Sequence, residues 1–424
     1  MSTNNILEKD YFNDEEISLN PYDYFEQARA HGPITRLTYD DVLLITGHDE
    51  CMNVLFNDDD FSSYNSSVGA GFKLPFEPVG SDISDLMEEH RAAMPHGNLL
   101  VNYDGDRHSQ LRTLISPLFT PTRLKANQEY CEQLAAEMMT AIATAGKCEV
   151  MYDLATPFVT MVVADLLGVP SEDRAKFREV IDSSPRPGSI NEDSNTEEFV
   201  GPLEFMARYF AGYIMERRAQ PKDDVLTILA NSTFPDGSLP DLSDLVTLAA
   251  TIFGAGQDTS AKLLGTAIRF LATNPDLQAT LRADKTKIPA FIEEVLRLEG
   301  STKATFRLAR RDTDIDGFEV PAGQRIIVAL AAANRDPRRW ENPDQLILDR
   351  PRGRDHLSFG RGPHLCAGAP LARVEMRIML EQLLAHTSNI AVSAEDHGHV
   401  PAFDYEPSYF IRGLRSLNIV MTAS

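Results

Sequence analysis

The sequence predicts a mainly α-helical protein with small β-sheets, and three observations lead to that fold class. Apolar residues recur at helical spacing through most of the middle of the chain, and the longest such pattern runs from Leu242 to Thr273. Short strand-type patterns occur near the two ends of the 424-residue chain. The hydrophobic content of 43% and the charged content of 24% are those of an ordinary globular protein.

The first predicted elements are a helix, a hairpin and a long irregular segment. Residues Pro21 to Ala30 have a helical pattern, and the apolar segments 34–37 and 42–46 flank a polar turn, which indicates a β-hairpin. From Ser62 to roughly Leu100 the chain is rich in Ser, Gly and Pro, so we expect irregular structure there. Loops of this length are usually functional or disordered.

Helical patterns then dominate until the last third of the chain, where strand patterns return. An acidic segment at residues 191–198 is interpreted as a solvated loop between two helical stretches. Further helices are predicted at 106–114, 124–145, 152–167 and 370–384, and strands at 313–320, 325–329 and 417–421.

Composition excludes several classes of partner. Because its formal charge is −23, the chain is not expected to bind nucleic acid or an anionic membrane. The N-terminus has no apolar segment that predicts a signal peptide, and the longest apolar-rich run, Val246 to Gly256, is too short to span a bilayer. Four cysteines without CxxC spacing fit a reducing compartment, so we expect a cytoplasmic protein.

The most informative segment is the glycine-punctuated loop around Cys366, which a helical pattern follows. Phe359 lies seven residues before the cysteine and His364 lies two before it. Backbone N–H groups at a helix N-terminus lower the pKa of a thiol, and a thiolate is a metal ligand. Glycines 360, 362 and 368 are expected to take positive φ angles and to direct amides at the sulfur. The alternative is a buried structural cysteine beside a Gly-rich turn.

The pattern Phe-Gly-x-Gly-x-His-x-Cys-x-Gly resembles the haem-ligand loop of the cytochromes P450. The resemblance implies the cytochrome P450 fold in a single domain over residues 1–424, with a small β-containing part at about 30–60, a helical body at about 105–300 and a β and cysteine-loop region at about 301–424. It implies haem b (iron protoporphyrin IX) as cofactor, with Cys366 as the iron ligand. Phe359 would shield the sulfur, and Gly368 would belong to the cofactor site.

A second segment of the same resemblance lies inside the long helical pattern, at Ala255-Gly-Gln-Asp-Thr-Ser260. Gly256 is a poor helix former that permits a close approach to the backbone, and Thr259 can bond back to the Ala255 carbonyl. In the family such an acid–alcohol pair delivers protons to dioxygen, which implies a catalytic role for Asp258 and Thr259. The alternative is a Gly-kinked core helix with a polar patch.

Glu294 and Arg297 are three residues apart and therefore share a helix face. The resemblance implies a structural pair behind the haem, completed by an arginine for which Arg350 is the candidate. At Gln345 the sequence departs from the pattern of many relatives, which have Arg-Phe there after Pro-x. The identity of the third member therefore stays open. The alternative is an exposed ion pair.

Two haem propionates require cationic partners. His108 and Arg112 lie four residues apart on one helix face, and the resemblance assigns them, Arg307 and His364 to the propionates. His356 is a possible further contact. For each of these residues the alternative is a solvent-facing charge.

The substrate pocket is implied by family position and is mainly apolar with interspersed threonines. No charged anchor is evident, although Lys73 or Arg412 could be one. We expect a nonpolar or weakly polar small molecule, of the terpenoid, aromatic, fatty acid or steroid class. The implied pocket residues are Leu99, Leu100, Thr251, Ile252, Ala255, Thr302, Thr305 and Phe410.

The predicted activity is that of a haem-thiolate monooxygenase that uses dioxygen and two electrons from outside the chain. No flavin or nicotinamide motif is present, so the resemblance implies a ferredoxin with its reductase as donor. The stretch 335–377 carries nine arginines and six acids, and we expect it to form a basic face for an acidic ferredoxin. The alternative is that several of these arginines are buried structural ligands. A peroxide-driven peroxygenase and a non-catalytic haem carrier or sensor are the alternative functions.

Overall fold

This computed structural model describes residues 6–182 and 196–424, and helices make up most of them. A π-helical turn, Val150–Ala155, leads into the helix that begins at Thr156. The helices are α1 (Glu15–Leu19), α2 (Tyr22–Arg29), α3 (His48–Phe56), α4 (Ser84–Glu89), α5 (Gly105–Ile115), α6 (Pro121–Ala145), α7 (Thr156–Leu166), α8 (Ser171–Asp182), α9 (Thr196–Ala219), α10 (Val225–Ala230), α11 (Leu242–Ala272), α12 (Pro275–Ala283), α13 (Ile288–Glu299), α14 (Leu330–Ala333), α15 (Ala369–His386) and α16 (Ala394–His397).

The strands form one sheet of five strands and two smaller sheets within the described residues. The larger sheet has the order β1-β2-β8-β5-β3, in which only the β2–β8 pair is parallel. The strands are β1 (Ile34–Arg36), β2 (Leu43–Ile45), β3 (Phe61–Ser62), β4 (Lys147–Glu149), β5 (Thr305–Ala309), β6 (Thr313–Ile315), β7 (Phe318–Val320), β8 (Arg325–Val328), β9 (Thr387–Val392) and β10 (Asn418–Ala423).

The long helix α11 lies at the centre of the largest apolar cluster. It packs against α7, α9, α13 and α15, so most of its residues after Gly256 are buried. A Cβ on Gly256 would lie 3.3 Å from Cγ2 of Val163. The element that packs closely against Gly256 is therefore α7. The sequence predicted a close neighbour at this glycine but did not identify it.

Most of the predicted elements are confirmed, with boundaries that differ by a few residues. The hairpin joins β1 to β2, with Ile34 opposite Ile45. The strand predicted at 313–320 is in fact the hairpin β6–β7, because Asp316 and Gly317 both take positive φ angles of 51° and 86°. An Asp-Gly turn of that type matches the twist of the two flanking strands.

Two predicted loops differ from the structure. The segment 62–100 contains α4 and short 3₁₀ turns, so the prediction of irregular structure throughout was wrong there. Of the predicted acidic loop, residues 191–195 lie outside the described residues, and residues 196–198 begin α9. None of the described helices has both the length and the hydropathy needed to cross a membrane.

Candidate active site

The loop before α15 presents Cys366 at the edge of a cavity. The Cys366 N–H donates to the Phe359 carbonyl over 2.9 Å, which closes the loop. Gly360 and Gly362 both have φ angles of 68°, in the region that favours glycine. A Cβ on Gly362 would also lie 2.2 Å from the Leu55 carbonyl oxygen, so a side chain is excluded there.

Gly368 directs its N–H at the Cys366 sulfur as expected, but without a positive φ angle. Its φ angle is −78°, so the prediction of a positive angle was wrong for this glycine. It caps the N-terminus of α15, and a Cβ there would lie 3.8 Å from the Cys366 sulfur, at ordinary contact distance. The N–H groups of Gly368 and Ala369 both point at that sulfur.

The protein alone does not lower the pKa of Cys366, contrary to the expectation from the helix N-terminus. Burial by the surrounding protein raises the pKa of the thiol, and the two backbone N–H groups and the charge of Arg112 offset this only in part. A bound metal cation would reverse that balance, because a coordinated thiol loses its proton. Of the four cysteines, all within the described residues, only Cys366 keeps an accessible surface; that surface opens to the cavity, although protein atoms surround most of the thiol.

The cavity beside Cys366 has a volume of about 370 Å³ and a basic rim. Arg112, Arg361 and Arg373 line it together with Phe359. The guanidinium of Arg373 lies 4.7 Å from the centre of the Phe359 ring, and that of Arg112 donates to the Leu365 carbonyl. The structure therefore ties Arg112 to the cysteine loop itself.

Arg307 on β5 is a buried cation that pairs with no carboxylate of the described part of the chain. Its side chain is 3% exposed, and it donates only to neutral oxygens, at 3.3 Å to Ser66 Oγ, 3.2 Å to Thr305 Oγ1 and 2.7 Å to the Phe306 carbonyl. No carboxylate of a described residue lies within 4.0 Å of it. Burial lowers its pKa to about 10.

The two histidines expected at the cofactor lie together. The rings of His108 and His364 are stacked, with centroids 4.1 Å apart. His364 Nε2 lies 3.0 Å from Ser63 Oγ and 3.4 Å from Asp104 Oδ1, whereas the His108 ring has no hydrogen bond to a described residue. Burial, followed by the neighbouring charges of His364 and Arg112, lowers the pKa of His108 to about 4.

Asp104 organises this region and was missed in the sequence. It lies just before α5, is 4% exposed in its side chain, and accepts bonds from the Ser63 N–H at 3.0 Å and from Arg310 at 2.9 Å. Burial raises its pKa, but the bonds from His364, Ser62 and Ser63 outweigh that and set the value at about 2. The acid just before the His108–Arg112 motif was the available signal.

These residues fit a haem. A buried arginine needs an anion, and a buried histidine without a hydrogen bond needs an acceptor for its N–H; a propionate supplies both. His356 does not share this site, because its ring lies 3.0 Å from Glu293 Oε2 and is 1% exposed. The further contact suggested for His356 was therefore wrong, since it braces the loop from behind.

One face of α11 stays accessible in the middle of the buried helix. Thr259 Oγ1 donates to the Ala255 carbonyl at 2.9 Å, as the sequence predicted, and the Thr259 carbonyl accepts from Ser301 Oγ at 2.7 Å. Positions four residues apart share a helix face. The accessible residues are Thr251, Ile252, Ala255, Asp258 and Thr259.

Asp258 is held by charges that sequence reasoning overlooked. Its Oδ2 lies 2.7 Å from the ammonium of Lys262, and that ammonium lies 2.8 Å from Glu406 Oε2. The i, i+4 spacing of Asp258 and Lys262 was a usable signal. Nothing in the sequence indicated Glu406, which is more than a hundred residues further along the chain.

The C-terminal turn and the strand before β5 reach α11 together. Thr302 forms a bridge with Ile411, and the Lys303 N–H donates to the Phe410 carbonyl at 2.9 Å. Thr305 contacts Arg307. Leu100 is buried and Leu99 half-buried before α5. That all of these line one pocket stays a prediction.

Of the two suggested charged anchors, Arg412 is engaged within the protein, and Lys73 stays a prediction. Arg412 is buried, donates to the Leu19 carbonyl at 2.7 Å and lies 3.3 Å from Glu299 Oε2. Its guanidinium also stacks 3.8 Å from the centre of the Tyr405 ring, so that suggestion was wrong. Lys73 is exposed.

Behind the cysteine loop, Glu294 joins two arginines. Arg297 Nε and Arg350 Nε lie 2.8 Å and 2.9 Å from Glu294 Oε1. The structure therefore brings Arg350 to the position expected of the third member. Gln345 takes part through its backbone, since its carbonyl accepts from both arginines at 2.8 Å and 2.9 Å.

The basic stretch 335–377 is largely neutralised within the protein. Arg352 and Arg361 have no carboxylate of a described residue within 4.0 Å. The other seven arginines of the stretch each contact a carboxylate: Arg335, Arg338, Arg339, Arg350, Arg354, Arg373 and Arg377. The basic face is therefore narrower than the count of nine suggested, and it centres on the rim of the Cys366 cavity.

Comparisons with known proteins agree with this geometry. A model of the Cytochrome P450 family matches residues 194–396. The chain is 31% identical over 411 residues to the cytochrome P450 monooxygenase PikC of Streptomyces venezuelae, covering 96% of this chain and 92% of that one. It is 31% identical over 423 residues to cytochrome P450 144 of Mycobacterium tuberculosis, with coverages of 97% and 91%.

A solved structure is similar over the whole chain. The substrate-free cytochrome P450 CYP150A6 of Mycobacterium marinum superposes with a TM-score of 0.92 and is 41% identical. The superposition covers 99% of this chain and 100% of that one.

Proposed function

The chain belongs to the cytochrome P450 family, whose members bind haem and act as monooxygenases, and from that premise we propose that it hydroxylates a hydrophobic small molecule. The observation that carries the proposal is Cys366, the single exposed thiol, with two backbone N–H groups directed at its sulfur. A cysteinate ligand favours cleavage of the O–O bond. The haem, when bound, supplies the chemistry that activates dioxygen.

The protein would hold haem b through Cys366 and without other covalent bonds. Arg307 and His108 would bind propionate, since both are buried and lack an anion within the described protein. His364, fixed by Asp104, would support the stacked His108 ring. Arg112 would hold the cysteine loop and add positive charge beside the sulfur.

The accessible face of α11 supports a hydrophobic substrate. It presents the aliphatic groups of Ile252 and Ala255. The hydroxyl of Thr251 donates to the Thr247 carbonyl at 2.7 Å, so its polar group is already bonded within the helix. We propose a terpenoid, aromatic, fatty acid or steroid substrate. Thr259 and Asp258 would place a hydroxyl and a carboxylate at that face to hold and move protons.

We further propose an acidic ferredoxin, with its reductase, as electron donor. Arg112 and Arg361 line the cavity beside Cys366, neither pairs with a carboxylate of a described residue, and both offer positive charge close to the sulfur. All four cysteines are free thiols, which supports a reducing, cytoplasmic location.

The test is a screen of the haem-loaded protein against a panel of the four substrate classes. Binding is read as a change in the ferric spin state, and product formation is then measured with a ferredoxin, its reductase and isotope-labelled dioxygen. We expect one atom of the label in the product. Label that enters only from peroxide would favour the peroxygenase, and binding without product would favour the carrier or sensor.

A matched pair of cysteine variants controls the assignment of the ligand. Cys366→Ser is expected to lose the thiolate spectrum and turnover, whereas Cys148→Ser, at a buried thiol in β4, keeps both. Turnover that survives Cys366→Ser would contradict the proposed function.

A further inference from the structure

A buried ion cluster lies directly behind the acid assigned to proton delivery. The Lys262 ammonium is 2.7 Å from Asp258 Oδ2 and 2.8 Å from Glu406 Oε2. The side chain of Lys262 is only 1% exposed and that of Glu406 is 8% exposed, whereas Asp258 is 27% exposed. The cluster therefore connects the accessible face of α11 to the buried C-terminal turn.

The C-terminal turn is shaped around the aliphatic stem of Lys262. A Cβ on Gly413 would lie 2.4 Å from both Cγ and Cδ of Lys262, so only glycine leaves room for the stem. The Glu406 N–H donates to the Gly413 carbonyl at 3.0 Å, and Tyr405 pairs with Leu414. The turn thus presents the Glu406 carboxylate and the Gly413 gap side by side.

The other charged groups around the cluster are already engaged. Lys303 donates to the carbonyls of Ser18 and Ser408, and burial, followed by Arg412 and Lys262, lowers its pKa well below the ordinary value. Arg412 pairs with Glu299, which also binds Arg269. These groups leave Lys262 as the cation that directly contacts Asp258.

We propose that Lys262 is a positioning residue that fixes the Asp258 carboxylate in one rotamer beside a positive charge, with Glu406 and Gly413 fixing Lys262 in turn. A cation at hydrogen-bond distance favours the charged form of a carboxylate. The bond occupies Oδ2, and Oδ1 of Asp258 has no hydrogen bond to a described residue. Oδ1 is therefore the oxygen that can take up and release a proton. The inference rests on the proposed function, because it assigns Asp258 to proton delivery.

The test compares Lys262→Met with the unchanged haem-loaded protein, supplied with redox partners and a compound that it hydroxylates. The fraction of electrons recovered in product is measured across pH. Without the cation, the apparent pKa that governs this fraction is expected to rise by about 1–3 units. Because Asp258 also loses its fixed rotamer, the fraction at the original optimum is expected to fall.

Gly413→Ala provides a second variant that alters no charge. The added methyl group displaces the Lys262 stem, so the same upward shift of the apparent pKa is expected. The matched control is Lys222→Met, which removes an exposed lysine whose ammonium lies 2.7 Å from Glu216. That control is expected to leave the profile unchanged.

A readout without turnover separates this inference from the proposed function. Unfolding midpoints of the ferric protein are measured for Lys262→Met, Asp258→Asn and the double variant, which isolates the pair. Additive shifts would overturn the inference whether or not product forms. An unchanged pH profile in Lys262→Met and Gly413→Ala, in a protein that does hydroxylate, would overturn it as well. Absence of product from the unchanged protein would instead count against the proposed function.

Discussion

Two buried arginines of this protein have opposite surroundings. Arg297 on α13 is fully buried and bonds to both oxygens of Glu294, at 2.8 Å and 3.0 Å, and to three backbone carbonyls. Arg307 on β5 is 3% exposed and bonds only to two hydroxyls and one carbonyl. Within the described residues, the protein supplies an anion for Arg297 and none within 4.0 Å of Arg307.

The difference separates a structural charge from a binding charge. A buried ion is tolerated when a partner and further hydrogen bonds compensate for its desolvation. Arg297 meets that condition within the chain, so its contribution is to folding. Arg307 does not, which leaves part of its desolvation cost to be offset by an anionic ligand, such as the propionate proposed above.

Breaking the completed network is expected to have the largest effect. Arg297→Met leaves Glu294 buried with only Arg350 and the Ile347 N–H as partners, and removal of one member of a buried pair costs about 3–5 kcal/mol. The measurement is the unfolding midpoint and the yield of haem-loaded protein. Arg377→Ala, in a partly exposed i, i+4 pair with Glu381, is the control and is expected to change stability by less than about 0.5 kcal/mol.

The sequence was sufficient for features carried by local spacing. Three such features are recognisable from residues close together in sequence. They are the i, i+3 pair Glu294 and Arg297, the bond from Thr259 to the Ala255 carbonyl, and the glycines before Cys366. The third member, Arg350, required the resemblance, because no spacing rule connects residues more than fifty positions apart. The structure then placed it 2.9 Å from Glu294.

The sequence failed where long-range packing decides the environment. The pKa of Cys366 was predicted from the helix N-terminus alone, but burial by residues from other elements outweighs that effect. The full cluster around Asp258 was not predicted, because Glu406, which binds the Lys262 partner of Asp258, approaches only through the folded C-terminal turn. The sequence also left open which arginines of the 335–377 stretch are surface charges, because most of them pair with acids through contacts that only the folded chain makes.

The neighbouring acid Glu293 sharpens the comparison through pH. Its carboxylate binds Arg373 at 2.7 Å and His356 at 3.0 Å, and these bonds outweigh burial and lower its pKa from 4.5 to about 2. A lowered pKa stabilises the fold above the unfolded value and loses that contribution as pH falls from about 4.5 towards 2. The full contribution is about 3 kcal/mol at neutral pH.

Glu293→Gln is therefore expected to lower the unfolding midpoint at neutral pH and to weaken its decline between about pH 4.5 and 2. Part of the decline remains, because the pKa of Asp104 is also about 2. The measurement is the midpoint of the haem-loaded protein across this range. A variant whose acid limb is as steep as that of the unchanged protein would show that Glu293 gains no stability from its partners.

Replacing Arg307, the arginine without a carboxylate partner among the described residues, is expected to give the smallest change in free energy. It should lower haem affinity rather than the stability of the fold. Arg307→Gln removes a buried cation that no carboxylate of the described protein neutralises, so the haem-free fold is expected to be unchanged or stabilised. A charge-assisted bond to propionate contributes about 1.5–3 kcal/mol, so haem affinity is expected to fall roughly 10- to 100-fold. The measurement is the rate of haem transfer to an excess of a haem-scavenging globin. If Arg307→Gln instead destabilised the fold as strongly as Arg297→Met, with haem transfer unchanged, both arginines would be structural and the distinction drawn between them would be wrong.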